Sequence, residues 1–444
     1  MSPKKPVENL RVLCSKLVIA LTLDIIRCSG NKCIEGLRVH LSRLPRTLKE
    51  ELILDILDLT QLNSTSKWVS FCAFQTSCPK FDFRNLSSKF HEKFADCLEN
   101  VCYLNLTEAQ ISEPSLRSLI SKCPLLRSLI IPNFATDLLM QEIKTLQNLE
   151  LLDISGSICV SQEGWKCLTN KSLQILVLGA SCNVQTLSEI LMRLPHLREV
   201  RNYQGTAQAL LQLRAATKLK CVSDSDTNTE RMLAIISICP ELQELSLEDP
   251  LEDSLDVLVQ ELSSLKKLRI SHIHNCKSPL KITRKLTLLI LEAKNLSLDL
   301  NTISIALEYL SMKSCHLYGS DLYLRNLRVL ELIDCDVKKD LVIELLENCA
   351  QLRRVAISHD IGLTDADVKR LCKAQKLRQL EELWLSLARQ LSSDSVILLM
   401  NHCERLTLLG TLNGWNVEKI EINYLRCVIY FANINLNLLY FNCF

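Results

Sequence analysis

The spacing of leucines recurs along this chain, and that recurrence limits the possible folds more than any other feature. In the stretch 326–337 the apolar positions Leu327, Leu330 and Leu332 fall three and then two residues apart. This is the spacing of a short strand entered from a bend. Leu330 and Leu332 point to one side of an extended backbone, Val329 and Glu331 to the other. From Asp340 to Asn348 the rhythm changes, and Leu341, Leu345 and Leu346 fall on one face of a short helix. One strand and one helix cannot cover their own apolar side, so the unit needs a copy of itself above and below.

The copies align on their first strand positions: Val101, Leu126, Leu149, Leu173, Leu197, Leu219, Leu242, Leu265, Leu286, Leu307, Leu327, Leu352, Leu380 and Leu406, at steps of 20 to 28 residues. On these residues the chain resembles the leucine-rich-repeat family over roughly its last three quarters. It departs from the most regular members in one respect, since the asparagine usually found four residues after the last strand leucine is mostly missing. Several units instead close with Cys123-Pro124, Leu194-Pro195, Cys239-Pro240, Asn348-Cys349 or His402-Cys403. Those closings are similar to the cysteine-containing variety common in ubiquitin-ligase receptors. The resemblance implies an α/β leucine-rich-repeat solenoid (a horseshoe) over 97–415, preceded by an all-helical cap region.

Length does not demand several globular domains, because a solenoid core grows along one axis and 444 residues fit one. A net charge of +2 gives no broad basic field, which speaks against nucleic acid as the main partner. The 21 cysteines are odd in number and scattered through helix ends and strands. Most of them read as small buried apolar residues in a reducing compartment, cytoplasmic or nuclear. No secretory leader or uncharged run of about 18 apolar residues is evident, so no membrane partner is expected. The sequons at Asn85, Asn105 and Asn295 then read as chance matches.

Ahead of the repeats, 1–60 has a helical rhythm. Leu10, Leu13, Cys14, Leu17, Val18 and Leu21 recur at three- and four-residue steps. Ser29-Gly30-Asn31 breaks the run, a second segment covers 33–41, and a third helix follows Pro45, with Leu48, Leu52, Ile56 and Leu59 on one side. Leu10-Arg-Val-Leu-Cys14-Ser-Lys-Leu-Val18 resembles the elongin-binding box of substrate receptors, with Asn9 where Ser, Thr or Pro is usual. Positions i, i+4 and i+8 share a face, so Leu10 would fill a pocket and Cys14 would allow close helix approach. Leu44-Pro45-x-x-Leu48-x-x-x-Leu52 is similar to the cullin-selecting box that follows it in von Hippel-Lindau-box and ZYG-type receptors. The resemblance implies an elongin B/C adaptor on Leu10, Cys14 and Val18, and a cullin selected through Leu44, Pro45, Leu48 and Leu52. The same Leu-Pro segment also resembles the opening of an F-box, with Trp68 and Cys72 for its later part, which implies a Skp-family adaptor instead. A third reading makes these helices a cap on the first repeat.

Residues 61–96 hold a dense aromatic cluster that reads as the junction between helices and repeats. Along the array, residues flanking the strand leucines face the open side of the sheet. Its early part is apolar, at Ile130, Leu151, Ile175 and Val177, and apolar patches mark interaction sites. These four are the expected contact for a protein substrate, unless a neighbouring segment folds over them. The units at Leu197 and Leu219 run into Asn202 and Asp224 where leucine is expected, so regularity should fall there. The stretch 416–444 reads either as a final strand and apolar cap or as an aberrant tail.

No phosphate-binding glycine loop, His-Glu-x-x-His or Gly-x-Ser-x-Gly motif occurs, and ten glycines leave few phosphate cradles. His272-Ile-His274-Asn-Cys276 lacks a fourth metal ligand and reads as a repeat turn. Cys14 has no basic neighbour to make it a nucleophile. The chain is therefore expected to be a non-enzymatic receptor without a cofactor: the substrate-recognition subunit of a cullin-type ubiquitin ligase. The alternative is a leucine-rich-repeat interaction scaffold outside any ligase.

Overall fold

The structure, a computed structural model, describes residues 10–29, 37, 39–41, 43–58, 80–82, 98 and 101–440, apart from 180, 202, 204, 214, 252–253, 256–263, 274–284, 295, 321 and 323. Most of the aromatic segment 61–96 therefore lies outside the described residues, as do Asn202, Asn85, Asn295, His274 and Cys276. The chain divides into two compact units, Val7–Leu219 and Lys220–Phe444.

The first unit includes, near its start, the helices α1 (Leu10–Ser29) and α2 (Arg46–Asp58), which touch one another. Strands β1 (Lys80–Asp82), β2 (Tyr103–Asn105), β3 (Ser128–Ile130), β4 (Leu151–Asp153), β5 (Ile175–Val177) and β6 (Glu199–Arg201) then pair in chain order, every pair parallel. Between successive strands run α3 (Glu113–Ser121), α4 (Asp137–Ile143), α5 (Gln162–Lys166) and α6 (Val184–Arg193), and α7 (Thr206–Leu210) follows β6. Parallel neighbours need a crossover, and from β2 to β6 each crossover is one short helix. The middle residue of β2 to β5 points to the helix layer: Leu104, Leu129, Leu152 and Leu176 are all at 0 % exposure.

The second unit repeats the plan with longer strands: β7 (Cys221–Ser225), β8 (Glu244–Glu248), β9 (Lys267–Ile273) and β10 (Leu288–Ala293). A short strand β11 (Ser297–Asp299) leaves the main sheet after β10. Then come β12 (Tyr309–Lys313), β13 (His316–Tyr318), β14 (Val329–Ile333), β15 (Asp336–Val337), β16 (Arg354–Ile357), β17 (Glu382–Leu385), β18 (Ala388–Ser392), β19 (Leu408–Gly410), β20 (Trp415–Asn416) and β21 (Asn437–Leu438). The main sheet of this unit runs β7-β8-β9-β10-β12-β14-β16-β17-β19-β21, while β11-β13-β15 and β18-β20 form small sheets of their own. Helices α8 (Thr229–Ile238), α9 (Lys339–Asn348), α10 (Asp365–Lys373), α11 (Ser393–His402) and α12 (Lys419–Phe431) lie along the chain between them. The tail beyond residue 416 thus contributes α12 and β21, which pairs in register with β19 at Leu408–Asn437 and Leu409–Leu438. Each unit is a stack of leucine-rich repeats, an α/β architecture.

Local chemistry explains where each helix starts and stops. Thr136, Ser161, Asn183 and Asn228 sit at helix N-caps and accept a hydrogen bond from the backbone N–H three residues on. Thr364 and Asp367 form a reciprocal capping box. At the other end Leu194, Cys239, Cys349 and Cys403 each donate their N–H to the carbonyl four residues back, at 2.9 to 3.0 Å. Their side chains are buried, and their carbonyls accept from the first leucine of the next strand at 3.1 to 3.3 Å. The closing residue thus plugs the core while turning the chain. A small apolar cysteine suits both tasks.

The missing asparagines also have a physical account. After their strands Asp226, Asp249, Ser314 and Asp334 take positive φ of 49 to 58°, and the first three donate their N–H to the next strand at 2.9 to 3.0 Å. One residue beyond Asp334, the thiol of Cys335 donates to the Met312 carbonyl of the neighbouring strand at 3.2 Å, and beyond Ser314 the Cys315 thiol lies 3.2 Å from the Lys313 carbonyl and 3.9 Å from that of Ala293. Backbone and thiol bonds supply the lateral ladder that an asparagine side chain would otherwise make.

The expected loss of regularity at the Leu219 unit does not occur. Strands β7 and β8 pair over five residues without a shift. Asp224, facing inward in place of leucine, accepts from Thr227 Oγ1 at 2.8 Å and lies 3.9 Å from Arg231 Nη1. A buried carboxylate is tolerated where hydrogen bonds and a counter-charge replace its water.

Candidate interaction surfaces

Three surfaces carry the residues singled out in the sequence. The first is α1. Ile19, Thr22 and Leu23 are buried, and Thr22 Oγ1 donates to the Val18 carbonyl at 2.8 Å. On the opposite side Cys14, Leu17, Leu21 and Ile25 are exposed, Leu17 at 61 % and Leu21 at 54 %, while Val18 is half-buried at the border. At 100° per residue these exposed positions share one flank. The periodicity of Leu17 and Leu21 was visible in the sequence, but which side would pack was not. Ile25 belongs to the same flank and is missed by the sequence pattern.

The second is α2 and the turn before it. Leu44 and Leu48 are half-buried, Pro45 is exposed, and Leu52 is buried with Ile53 and Ile56. Lys49 N–H bonds to the Pro45 carbonyl at 3.0 Å, so the proline heads the helix without losing a bond.

The third is the open face of the sheet in the first unit. Register makes Leu151 and Ile175 direct neighbours, and sets Ile130 and Val177 on either side of Asp153. All four apolar side chains are half-buried. The Asp153 carboxylate bonds to the Ser155 N–H at 2.9 Å, and Arg201 closes the patch by pairing with Glu199 on its own strand. Asn105, the described sequon, is 4 % exposed and accepts from Thr107 N–H and Oγ1.

The matching face in the second unit differs. Tyr309 Oη donates to Glu331 Oε2 at 2.7 Å, and Arg354 lies 3.4 Å from Glu331 and 3.7 Å from Glu382. Burial and the Glu331 hydrogen bond push the Tyr309 hydroxyl up to about 12. Trp384 Nε1 donates to Glu382 at 3.3 Å, and the indole lies across Gly410, where an added Cβ would meet the ring at 2.2 Å. Further along, Glu244 is met by Lys267 at 3.2 Å and Arg269 at 3.8 Å. The charges on this face are paired with one another, although Arg354 Nε has no hydrogen-bond partner.

Among the described residues no group of three or more His, Cys, Asp or Glu side chains is placed to hold a metal ion, and no helix is long and apolar enough to cross a membrane. Burial pushes the thiols of Cys123, Cys182, Cys315 and Cys349 up to about 12, so they are protonated at neutral pH.

No family model and no curated protein matches the chain. Solved structures similar to it include an internalin of Listeria monocytogenes at 16% identity, covering 88% of this chain and 94% of that one with a TM-score of 0.34. The Rad7–Elc1 complex of yeast is similar at 16% identity, 98% and 93% coverage and a TM-score of 0.39. A leucine-rich-repeat protein of Leptospira interrogans is similar at 16% identity, 87% and 97% coverage and a TM-score of 0.39.

Proposed function

We propose that this chain is the substrate-recognition subunit of a cullin-RING E3 ubiquitin ligase. The observation that supports it is the flank of α1 around Cys14, Leu17 and Leu21, which is apolar, helical in spacing and turned away from the residues that α1 buries. Such a stripe suits the groove of an adaptor, which takes a helix by anchors three and four residues apart. In this reading Leu10, Cys14 and Val18 bind elongin B/C, and Leu44, Pro45, Leu48 and Leu52 select the cullin. The patch of Ile130, Leu151, Ile175 and Val177 holds the protein substrate. The chain then performs no bond chemistry. It raises the local concentration of substrate lysines beside a conjugating enzyme carried by the assembly.

Affinity purification of the full chain tests this. Elongins and a cullin should co-purify, and Cys14→Arg, which puts a charge on the exposed flank, should abolish their recovery without changing the helical signal. Recovery of a Skp-family adaptor instead would move the reading to the F-box. Recovery of neither would leave a non-ligase interaction scaffold, a reading favoured by the burial of Leu52, at 1 % exposure.

A further inference from the structure

Helix α12 buries Ile422, Leu425 and Ile429. Its other side is apolar as well: Ile420 is 77 %, Tyr424 69 % and Phe431 84 % exposed, and Cys427 is exposed between them. In α10, by contrast, the exposed side carries Lys369, Arg370 and Lys373, as an outward helix face normally does. The positions 420, 424, 427 and 431 are separated by four, three and four residues. That is the seam of a helix that pairs with another helix, each apolar side chain entering a gap between those opposite.

The geometry points to a second copy of this chain as the partner, docked α12 against α12 in antiparallel fashion about a two-fold axis. The four positions are symmetric about the middle of the helix, between Leu425 and Arg426. An axis there sets Ile420 against the partner's Phe431, and Tyr424 against the partner's Cys427. Each layer matches a larger side chain with a smaller one, and no charged residue stands on the seam. The stripe is therefore complementary to itself, which a two-fold interface requires. Tyr430 meets the Phe431 ring edge-on, centroids 5.6 Å apart, and widens the patch.

The area sets the strength. With aromatic side chains presenting roughly 150–250 Å² each, the stripe and Tyr430 offer roughly 500 Å² per copy. A pair would then bury roughly 1,000 Å², at the lower edge of specific interfaces. The dimer is accordingly reversible and depends on concentration.

Sedimentation equilibrium on the full chain, from about 1 to 100 µM, is the test. The expected result is an average mass that climbs from monomer towards dimer. The double variant Tyr424→Lys/Phe431→Lys should stay monomeric, its dissociation constant raised at least about 100-fold. Ile158→Lys, which alters another exposed apolar residue (75 % exposed) in the first unit, should dimerise as the unaltered chain does. Circular dichroism of both variants should match the parent, since none of these side chains is buried. A chain that stays monomeric throughout overturns the proposal and gives the α12 stripe to a different protein. A dimer that survives the double variant overturns it too, because the contact then lies elsewhere.

Discussion

Leu151 and Ile175 leave the first unit's sheet on the side away from the helices, as Glu331 and Arg354 do in the second, and both pairs sit on parallel ladders in register. The first pair is apolar and meets water along part of its surface. The second is tied into a chain of contacts through Tyr309, Glu382 and Trp384. The buried leucines are alike although the second unit's strands are longer, so the chemical character of the two faces is set by the outward residues, which the fold leaves free to vary. A face that pairs its own charges is stable without company. A half-exposed apolar face gains by being covered, because apolar area removed from water contributes roughly 25 cal/mol per Å².

The comparison can be broken first at what the two units share. Leu176→Ala in the first unit and Leu330→Ala in the second remove side chains at 0 % exposure, and each should cost about 2–5 kcal/mol in urea unfolding. If one of them cost under about 1 kcal/mol, the two stacks would not be packed alike.

Next comes the open face itself. Glu331→Ala leaves the Tyr309 hydroxyl without its acceptor and removes one of the two carboxylates beside Arg354, and should destabilise by about 1–3 kcal/mol. Ile175→Lys should change stability by no more than about 0.5 kcal/mol while reducing substrate capture at least about tenfold. Capture that survives both Ile175→Lys and Leu151→Lys would remove the substrate role from this patch.

Acid should weaken the second unit in two steps. Burial holds the His359 imidazole below its ordinary value of 6.5, although Asp334, Asp336 and Asp360 pull the other way. Asp365 and Asp367 lie below the ordinary 3.8: burial alone would raise them, but hydrogen bonds from Ser395 and Ser392 outweigh it at Asp365. At Asp367 the ion pair with Lys339 and bonds from Thr364 do so. In each case the unfolded chain binds protons more readily, so stability rises with pH. The His359 contribution is lost as pH falls below about 6.5, and the aspartate contribution as it falls below about 3.8. Hydrogen exchange followed against pH should show the first step disappear in His359→Leu.

The smallest effect is ionic. Raising salt to about 1 M screens the exposed pairs of Lys267 and Arg269 with Glu244 and should cost under about 1 kcal/mol in total. A larger loss would mean that these pairs carry the second face rather than merely satisfying it.

Much of the stack could be read from spacing alone. The inward leucines, the helical crossovers and the buried closings at Cys239, Cys349 and Cys403 follow from which positions are apolar and how far apart they fall, since a strand has period two and a helix 3.6. Asp224 was misjudged because its partners, Thr227 and Arg231, are set by the turn that follows. The apolar residues of α1 were legible as a periodic run. The side of the run that packs was not, because Ile19 and Leu23 are as apolar as Leu17 and Leu21.

By itself, then, the sequence determined a stack of strand–helix modules, because a recurring unit with an uncovered apolar side has no other stable arrangement. Only the tertiary structure decided which apolar helix residues remain outside: Leu17 and Leu21 on α1, Tyr424 and Phe431 on α12. Hydrophobicity is a property of a residue. Exposure depends on what lies across from it, and that is set by contacts between segments far apart in the chain.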